Sequence, residues 1–460
     1  MKIKKYVSSI LVLALMLSLI FTISGCKKKI PSTVLSANGQ VLGQITSTIS
    51  GEATYTKPEY TAYIDFVIED AANALAETKN ISKEEGAKLL CSEGYTILTF
   101  FEEEALQALV KSREKSQLAE DSLFGGAVTN LSGGVTAVYS SGEKNGLSNF
   151  ALAKSQPYSA LKPLSVYTPA LEKGIINWAT PIIDSPFKQI KNEKGILTDW
   201  PTNANGIYTK QNISIGDAVR DSVNTVSVRT LDKLGAKNSL DFLKDSFGLD
   251  LTDEREKLKS SGEEEIYGNL AMGYLIRGVS PVDMAGYYSI FANGGKYTKP
   301  CAVNSITASN NKSVYLAKLE QNQVISEQTA YIMNRMLNAV VTRGGTGKNA
   351  KVSGVDICGK TGTGSTNLLK GNWFSGFTPQ YSCAIWHGGI DGSNIAADIF
   401  KIFAENMNNT EKRRFSSPRY IEKRLFCTEN GGLRTATCNR ISEGYFEKEN
   451  LPENCTGHSR

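Results

Sequence analysis

Three short patterns in this 460-residue chain hold residues able to run nucleophilic chemistry without a histidine: Ser159-Ala160-Leu161-Lys162, Ser222-Val223-Asn224 and Lys360-Thr361-Gly362. A serine hydroxyl is a weak nucleophile until a base takes its proton, and a lysine serves as that base only when neutral. Moving a lysine from about 10.4 to about 7 requires roughly 4 to 5 kcal/mol of destabilisation of its charged form, which burial and a second nearby cation can supply. Lys360 is the candidate cation. The chain has only two histidines, His387 in a β-like run and His458 near the end, so a Ser-His-Asp triad is poorly supported. His387 reads as an ordinary strand histidine.

Each pattern is weak alone, since S-x-x-K also occurs at Ser112 and Ser185 and S-x-N at Ser36, Ser309 and Ser365. Context chooses among them. Ser112 lies beside Arg113 and Glu114 on what reads as a solvated helix face, and Ser185 precedes Pro186 in a loop-like stretch. Ser159 instead stands where a helix begins after Gln156-Pro157, with Leu161, Leu164 and Leu171 supplying an apolar face. A helix start exposes free N–H groups that stabilise an oxyanion, and residues three apart share a face, about 4.5 Å apart along the axis. Pro163 lacks the N–H that would bond the Ser159 carbonyl, a defect tolerated only near the first turn. The run GVDICGKTGTG reads as a buried strand ending in small residues and threonines, along which a substrate backbone can lie. Lys360 with Thr361 and Thr363 presents a cation and two hydroxyls to a carboxylate. The alternatives for this run are a Gly-rich strand end or a phosphate loop.

The elements that must position these residues follow from periodicity. A helix is expected over Tyr60 to Glu77, a strand over Glu93 to Phe101, a charged amphipathic helix over Glu102 to Lys115, and a hairpin around Ser132-Gly133-Gly134. Helices and loops dominate from Ser159 to about Asn293, with DWPTNANGIY as an ordered loop. Strands return in KVSGVDICGKTG and NWFSGFTPQYSCAIWHGG, followed by a helix from Ile395 to about Asn408. Strands first, helices in the middle and strands last predict an α+β fold, a central antiparallel sheet with helices on both sides. Residues 30–56 are rich in Ser, Thr and Gly and read as a flexible tether. The expected organisation is a signal peptide over 1–25, tether over 26–56, linker region over 57–118, catalytic domain over 119–412 and a C-terminal extension over 413–460.

With 41% hydrophobic residues, 21% charged residues and a net charge of +5, the chain is an ordinary globular protein, not a nucleic-acid binder. Lys2, Lys4 and Lys5 precede an apolar run from Ile10, the layout of an export signal. Ile23-Ser24-Gly25-Cys26 resembles a bacterial lipobox, which would make Cys26 a lipidated anchor; the alternative is an uncleaved transmembrane helix. Both place the rest of the chain outside the cytoplasmic membrane. Cys427, Cys438 and Cys455 cluster in the last 34 residues and would meet an oxidising compartment, where two can pair and one is left over. With His458 a Cys3His zinc site is conceivable, but the long intervals do not match a zinc ribbon, and no metal or other cofactor is assigned.

In this order the three patterns resemble the S-x-x-K, S-D-N and K-T-G set of β-lactamases and penicillin-binding proteins. The wider sequence is similar to the transpeptidase domain of class A penicillin-binding proteins. SNFALAKSQPYSALKPLSVYTPALEKG resembles the nucleophile segment, DWPTNANGIY the Trp-Pro-x-Asn loop and SIGDAVRDSVNTVSVRTLDKLG the second-motif helix. GVSPVDMAGYYSIFANGGKYTKP and GKTGTGSTNLLKGNWFSGFTP extend the likeness, which covers about residues 57 to 458.

The resemblance implies a peptidoglycan D,D-transpeptidase that acts on stem peptides and is acylated by β-lactams. Ser159 would be the nucleophile and Lys162 its base. Ser222 would relay a proton to the leaving amine, Asn224 would bind a substrate amide and orient Lys162, and Lys360 would set the electrostatics. Thr361, Gly362 and Thr363 would hold the substrate carboxylate end, with the N–H groups of Ser159 and Thr363 forming the oxyanion hole. Two departures stand out: only about 30 residues separate Cys26 from the linker-like EYTAYIDFV, so no fused glycosyltransferase is expected and a separate one would supply glycan, and Gly364 stands where the family often has a hydroxyl. A D,D-carboxypeptidase or serine β-lactamase shares the acylation half-reaction, and a non-enzymatic penicillin-binding sensor is the third reading.

Overall fold

The computed structural model describes residues 29–116, 118–119, 122–142, 149–191, 194–365, 370–389, 395–407 and 414–457. The proposed signal segment, Cys26 and His458 therefore lie outside the described residues. Among those described, no helix is long and apolar enough to cross a membrane.

Two sheets organise the chain. The first has six strands in the order β13 (Ser313–Leu316), β12 (Val303–Thr307), β4 (Thr96–Thr99), β1 (Ser32–Leu35), β2 (Val41–Ile45) and β3 (Thr54–Tyr55). Helix α1 (Thr61–Lys79) packs on it, and α2 (Lys83–Leu90) packs on α1 behind a Ser82–Glu85 capping box. This corrects the expected tether. Residues 32–55 hold strands because Val34, Leu42 and Ile45 are fully buried with Tyr63, Ile64 and Val67 of α1 in the core; Ser32 and Ser36 are buried on the same side as Val34, and the exposed Thr46, Thr48 and Ser50 lie in the connection after β2. Its parallel partner β4 lies some sixty residues downstream, out of reach of a local reading of composition. Residues 57–118 are likewise no linker: they supply a helix layer and a central strand.

The second sheet is fully antiparallel, in the order β15 (Cys358–Ser365), β16 (Lys370–Phe377), β17 (Tyr381–Gly389), β5 (Leu123–Asn130) and β6 (Val135–Ser141). Both faces are covered: α10 (Pro281–Tyr288) packs on β5 and β17, while α3 (Glu103–Glu114) and α12 (Ile395–Asn406) pack together on β6, β16 and β17. All but the last residue of β17 are accordingly buried, as expected of a strand sandwiched between helices. Strands from either side of the helical middle, β5 and β6 before it and β15 to β17 after it, thus meet in one sheet, the α+β arrangement expected. Ser112 is the exception to its reading: it is fully buried in α3 and donates to the Leu109 carbonyl at 2.7 Å, because this helix is covered on the face that carries it.

Between the sheet's two halves of sequence lie α4 (Thr168–Glu172), α5 (Ile215–Asp221), α6 (Asn224–Leu234), α7 (Ala236–Phe247), α8 (Thr252–Ser261) and α9 (Tyr267–Ala271). Two hairpin-like pairs interrupt this helical region, β7 (Pro181–Ile183) with β10 (Asn212–Ser214) and β8 (Lys188–Lys191) with β9 (Leu197–Trp200). A further short pair joins β11 (Lys296–Tyr297) to β14 (Asn322–Gln323), and α11 (Glu327–Thr342) backs the edge strand β15. The extension is a hairpin of β18 (Ile421–Cys427) and β19 (Ile441–Glu447).

Candidate active site

The chain enters the site through a tight turn. Pro157 precedes a single 3₁₀ turn, Tyr158–Ala160, and a wider π-turn follows from Pro163 to Tyr167 before α4. Pro163 opens the second segment, as its missing N–H requires. The change of pitch leaves the Ala160 carbonyl to accept from the buried Tyr288 hydroxyl at 2.5 Å. Tyr158 has φ +50°, a left-handed conformation that costs a non-glycine residue energy and gathers at functional sites. Its carbonyl rests on Gly273, where a Cβ would come within 1.9 Å. Ser159 is held in this turn with its side chain only partly covered.

Lys162 and Lys360 are both 0% exposed, and they converge on Ser222. Lys162 Nζ donates to the Ser222 carbonyl at 2.9 Å, to Ser222 Oγ at 3.5 Å and to Asn224 Oδ1 at 2.6 Å. Lys360 Nζ donates to Ser222 Oγ at 2.8 Å and to the Thr361 carbonyl at 3.2 Å. Burial pushes Lys162 well below the usual lysine range and Lys360 adds to this. Burial also brings Lys360 down to about 7, with Asp221 pulling the other way. The two amines meet at Ser222, and at Lys162 desolvation outweighs the neighbouring cation. No hydrogen bond joins Ser159 Oγ to Lys162 Nζ, a contact of the kind that often closes only once substrate fills a cleft.

Ser222 is the hinge between α5 and α6. It adopts φ +60° and caps α5, its N–H donating to the Ala218 carbonyl. Asn224, two residues on, starts α6 and is fixed from the other side by a frame that sequence reasoning missed in part. Asn203 Oδ1 accepts from the N–H groups of Asn224 (3.0 Å) and Thr225 (3.4 Å), and Asn203 Nδ2 donates to Asp184 at 2.8 Å. Asp184 also accepts from the Thr225 hydroxyl at 2.6 Å and the Thr209 N–H at 2.8 Å. These donors hold its carboxyl below the usual range against the opposing effect of burial. Asn203 sits in the loop singled out in the sequence; Asp184 carries no local signal.

The third pattern lies on the edge strand β15. Thr361 Oγ1 donates to Thr346 Oγ1 at 2.8 Å, a partner also missed from sequence, and Thr363 is exposed. Gly362 packs directly on the nucleophile turn, where a Cβ would come within 2.3 Å of the Pro157 carbonyl. Gly364 has a similar explanation: a Cβ there would lie 2.2 Å from the Tyr158 ring, so the ring occupies the space of the expected hydroxyl. Residues 354–361 also spell G-x-x-x-x-G-K-T, the sequence of a phosphate-binding loop. Here Lys360 and Thr361 belong to an extended strand paired with β16, with no helix N-terminus following, so that reading is excluded. His387 lies buried in β17, two strands in from the edge, outside this cluster.

A partly exposed serine in a strained turn, two buried amines meeting at a second serine, and an open strand edge suit acyl transfer through a serine ester. Residues 126–401 match the family described as penicillin binding protein transpeptidase domain. Penicillin-binding protein 1F of Bacillus subtilis (strain 168) is 31% identical over 347 residues, 72% of this chain and 43% of that protein. Penicillin-binding protein 1A of Clostridium acetobutylicum is 27% identical over 433 residues, 91% of this chain and 48% of that protein. The chain thus spans less than half the length of these relatives. Among solved structures, the D,D-transpeptidase domain of a peptidoglycan glycosyltransferase from Eggerthella lenta is 18% identical with a TM-score of 0.61, covering 83% of this chain and 98% of that one. PonA1 from Mycobacterium tuberculosis in complex with penicillin V is 21% identical with a TM-score of 0.62, covering 78% and 96%. At these identities the structures show a shared fold.

Proposed function

The chain belongs to the penicillin-binding protein transpeptidase family, and from that premise we propose that it is a D,D-transpeptidase working through a Ser159 acyl-enzyme. The observation that carries this reading is the meeting of two fully buried lysines at Ser222, an arrangement whose cost to the fold makes sense when a neutral amine is needed as base.

Ser159 Oγ attacks the carbonyl of the penultimate D-Ala of a stem peptide, and its proton passes to neutral Lys162. The tetrahedral oxyanion is held by the N–H groups of Ser159 and Thr363. Collapse breaks the peptide bond, and the leaving amine takes its proton through Ser222, which lies between the two lysines; free D-Ala departs and an ester remains on Ser159. An amine of a second peptide then attacks the ester and regenerates the hydroxyl. Asn224 orients Lys162, Lys360 with Thr361 and Thr363 receives the terminal carboxylate, and Gly362 lets β15 lie close to the turn. A β-lactam would take the substrate's place and stop at the ester. The export-signal pattern and the lipobox-like Cys26 support a lipid-anchored enzyme on the outer face of the cytoplasmic membrane.

Labelled penicillin tests this. A covalent adduct on Ser159 that persists for hours and is lost in Ser159→Ala is expected, together with release of D-Ala when donor and acceptor peptides are supplied. Rapid turnover of the penicillin would replace the proposal with a hydrolase, and a stable adduct without D-Ala release with a sensor. No adduct at all would remove every acyl-enzyme reading.

A further inference from the structure

The C-terminal extension gathers three thiols that the sequence keeps far apart. Cys427 ends β18, Cys438 closes a turn of the β18–β19 connection, and Cys455 lies on the final segment; the first and last are buried, and all three sulfurs fall within 4.8 Å of one another. Their meeting is built by backbone, not by chance proximity of side chains. Gly431, at φ +80°, donates to the Cys427 carbonyl at 2.8 Å, and the Cys427 N–H donates to Gly432. The last segment is stitched on by Cys455 N–H to the Leu433 carbonyl at 2.8 Å, and it approaches Gly432 so closely that a Cβ there would meet Cys455 at 2.8 Å.

Each sulfur also receives hydrogen-bond donors. The Thr435 N–H reaches Cys438 Sγ at 3.3 Å, and Asn430 Nδ2 reaches Cys455 Sγ at 3.2 Å. The N–H groups of Glu429 and Asn430 face the Cys427 sulfur. N–H donors aimed at sulfur favour thiolate over thiol, and both the N–H and the hydroxyl of Thr435 lie against the Cys438 sulfur, at 3.3 and 3.4 Å. Three sulfurs gathered within 4.8 Å of one another, each approached by N–H donors, suit a shared cation.

We propose that Cys427, Cys438 and Cys455 form a structural zinc site. Three thiolates at about 2.3 Å from a tetrahedral ion stand about 3.8 Å apart, so the observed cluster needs only a modest contraction. Binding exchanges three thiol protons for one Zn²⁺, the protons passing to solvent. The fourth position is left to water. The site ties the extension down where it touches the active-site scaffold: Asn212 of β10 donates to the Glu429 carbonyl at 3.2 Å, Gly431 abuts Ala179 and Pro181, and Arg343, which caps the C-terminus of α11, pairs with Glu443 at 2.6 Å.

The test uses the full chain purified under reducing conditions. Zinc is counted per chain by atomic emission, and cobalt is substituted for zinc to read the thiolate-to-cobalt absorption of the wild-type protein, which reports thiolate ligation without any variant. About one zinc per chain, lost in Cys438→Ser and kept in the control Cys91→Ser, is expected, with both variants still labelled by penicillin. The proposal is overturned if cobalt gives no thiolate absorption, if Cys438→Ser keeps its zinc, or if the metal-free chain shows two tail thiols joined in a disulfide that added zinc does not displace under reduction. Should Cys438→Ser fail to fold, the cobalt spectrum alone decides.

Discussion

Replacing Lys360 with methionine, similar in length and without charge, isolates what the second amine contributes to acylation. The two lysine nitrogens lie 3.5 and 2.8 Å from one hydroxyl, so they are at most about 6 Å apart. Two unit charges at that distance repel by about 3 kcal/mol at an effective dielectric of about 20, equivalent to about 2 pH units on Lys162. The sign is set by which proton leaves: a charged Lys360 drives the proton off Lys162, so its removal lets Lys162 stay protonated to higher pH. The acid limb of the acylation rate therefore moves up by about 2 pH units, while burial, the larger influence, still holds Lys162 low. Lys360 itself titrates at about 7, so if its charged form assists acylation, the wild-type rate falls as pH climbs through that value. The variant loses this basic limb.

The assay is the second-order rate constant for acylation by a fluorescent penicillin, measured from about pH 5 to pH 10, with thermal unfolding of each protein to verify folding. Loss of the carboxylate partner lowers the whole curve, so the limb positions carry the information, not the height. A variant profile with both limbs where the wild type has them would refute the electrostatic role of Lys360 and leave burial alone to tune the base.

Two further substitutions probe how the site is held. Gly364→Ser restores the hydroxyl common in the family but drives its Cβ against the Tyr158 ring; acylation is expected to fall at least about tenfold, with partial recovery in the Gly364→Ser, Tyr158→Ala double variant, and wild-type rates in the single variant would show that the ring moves aside freely. Asn203→Ala strands Asp184 and the N–H groups of Asn224 and Thr225 and should cost about 2 to 3 kcal/mol in denaturant unfolding, with slower acylation because Asn224 is no longer fixed; a loss below about 0.5 kcal/mol would contradict the bracing role.

The candidate cluster was legible because its residues carry their chemistry in type and short spacing. Ser159, Lys162 and Pro163 lie within one turn, and the 3₁₀-to-π change of pitch appears where Pro163 demanded a defect. The second sheet was legible for a related reason, since β5, β6, β16 and β17 are runs whose own composition specifies strand. The first sheet was not. Its strand β1 is four residues long with buried Ser32 and Val34, and what makes it a strand is pairing with β4 and cover from α1, neither visible in a window of ten residues. Asp184, Thr346 and the convergence of Cys427, Cys438 and Cys455 belong to the same class, placed by tertiary approach. Ser112 shows the converse, a polar residue among charges that reads as surface and is buried because only one face of α3 meets solvent.

The cost of the buried amines ties chemistry to stability. An unfolded chain would hold a proton on Lys360 up to about 10.5, whereas the folded chain releases it at about 7, so between these values the unfolded state binds more protons and stability rises with pH. Below about 7 both states are protonated and the fold bears the full cost, about 5 kcal/mol for this one group. Lys162 adds to it in the same direction. If a charged Lys360 is what acylation needs, the enzyme works at the low end of this slope, where the pair destabilises it most. That places a demand on the surroundings, and the surroundings answer it: Ser222 and Asn224 are held by backbone caps and by Asn203, the nucleophile turn is held by Tyr288 and Gly273, and helices cover the faces of the sheet that carries Lys360. The rigidity of that frame is thus the condition for keeping a base neutral, and loosening it should first appear as a shift in the acid limb of acylation, before any loss of fold.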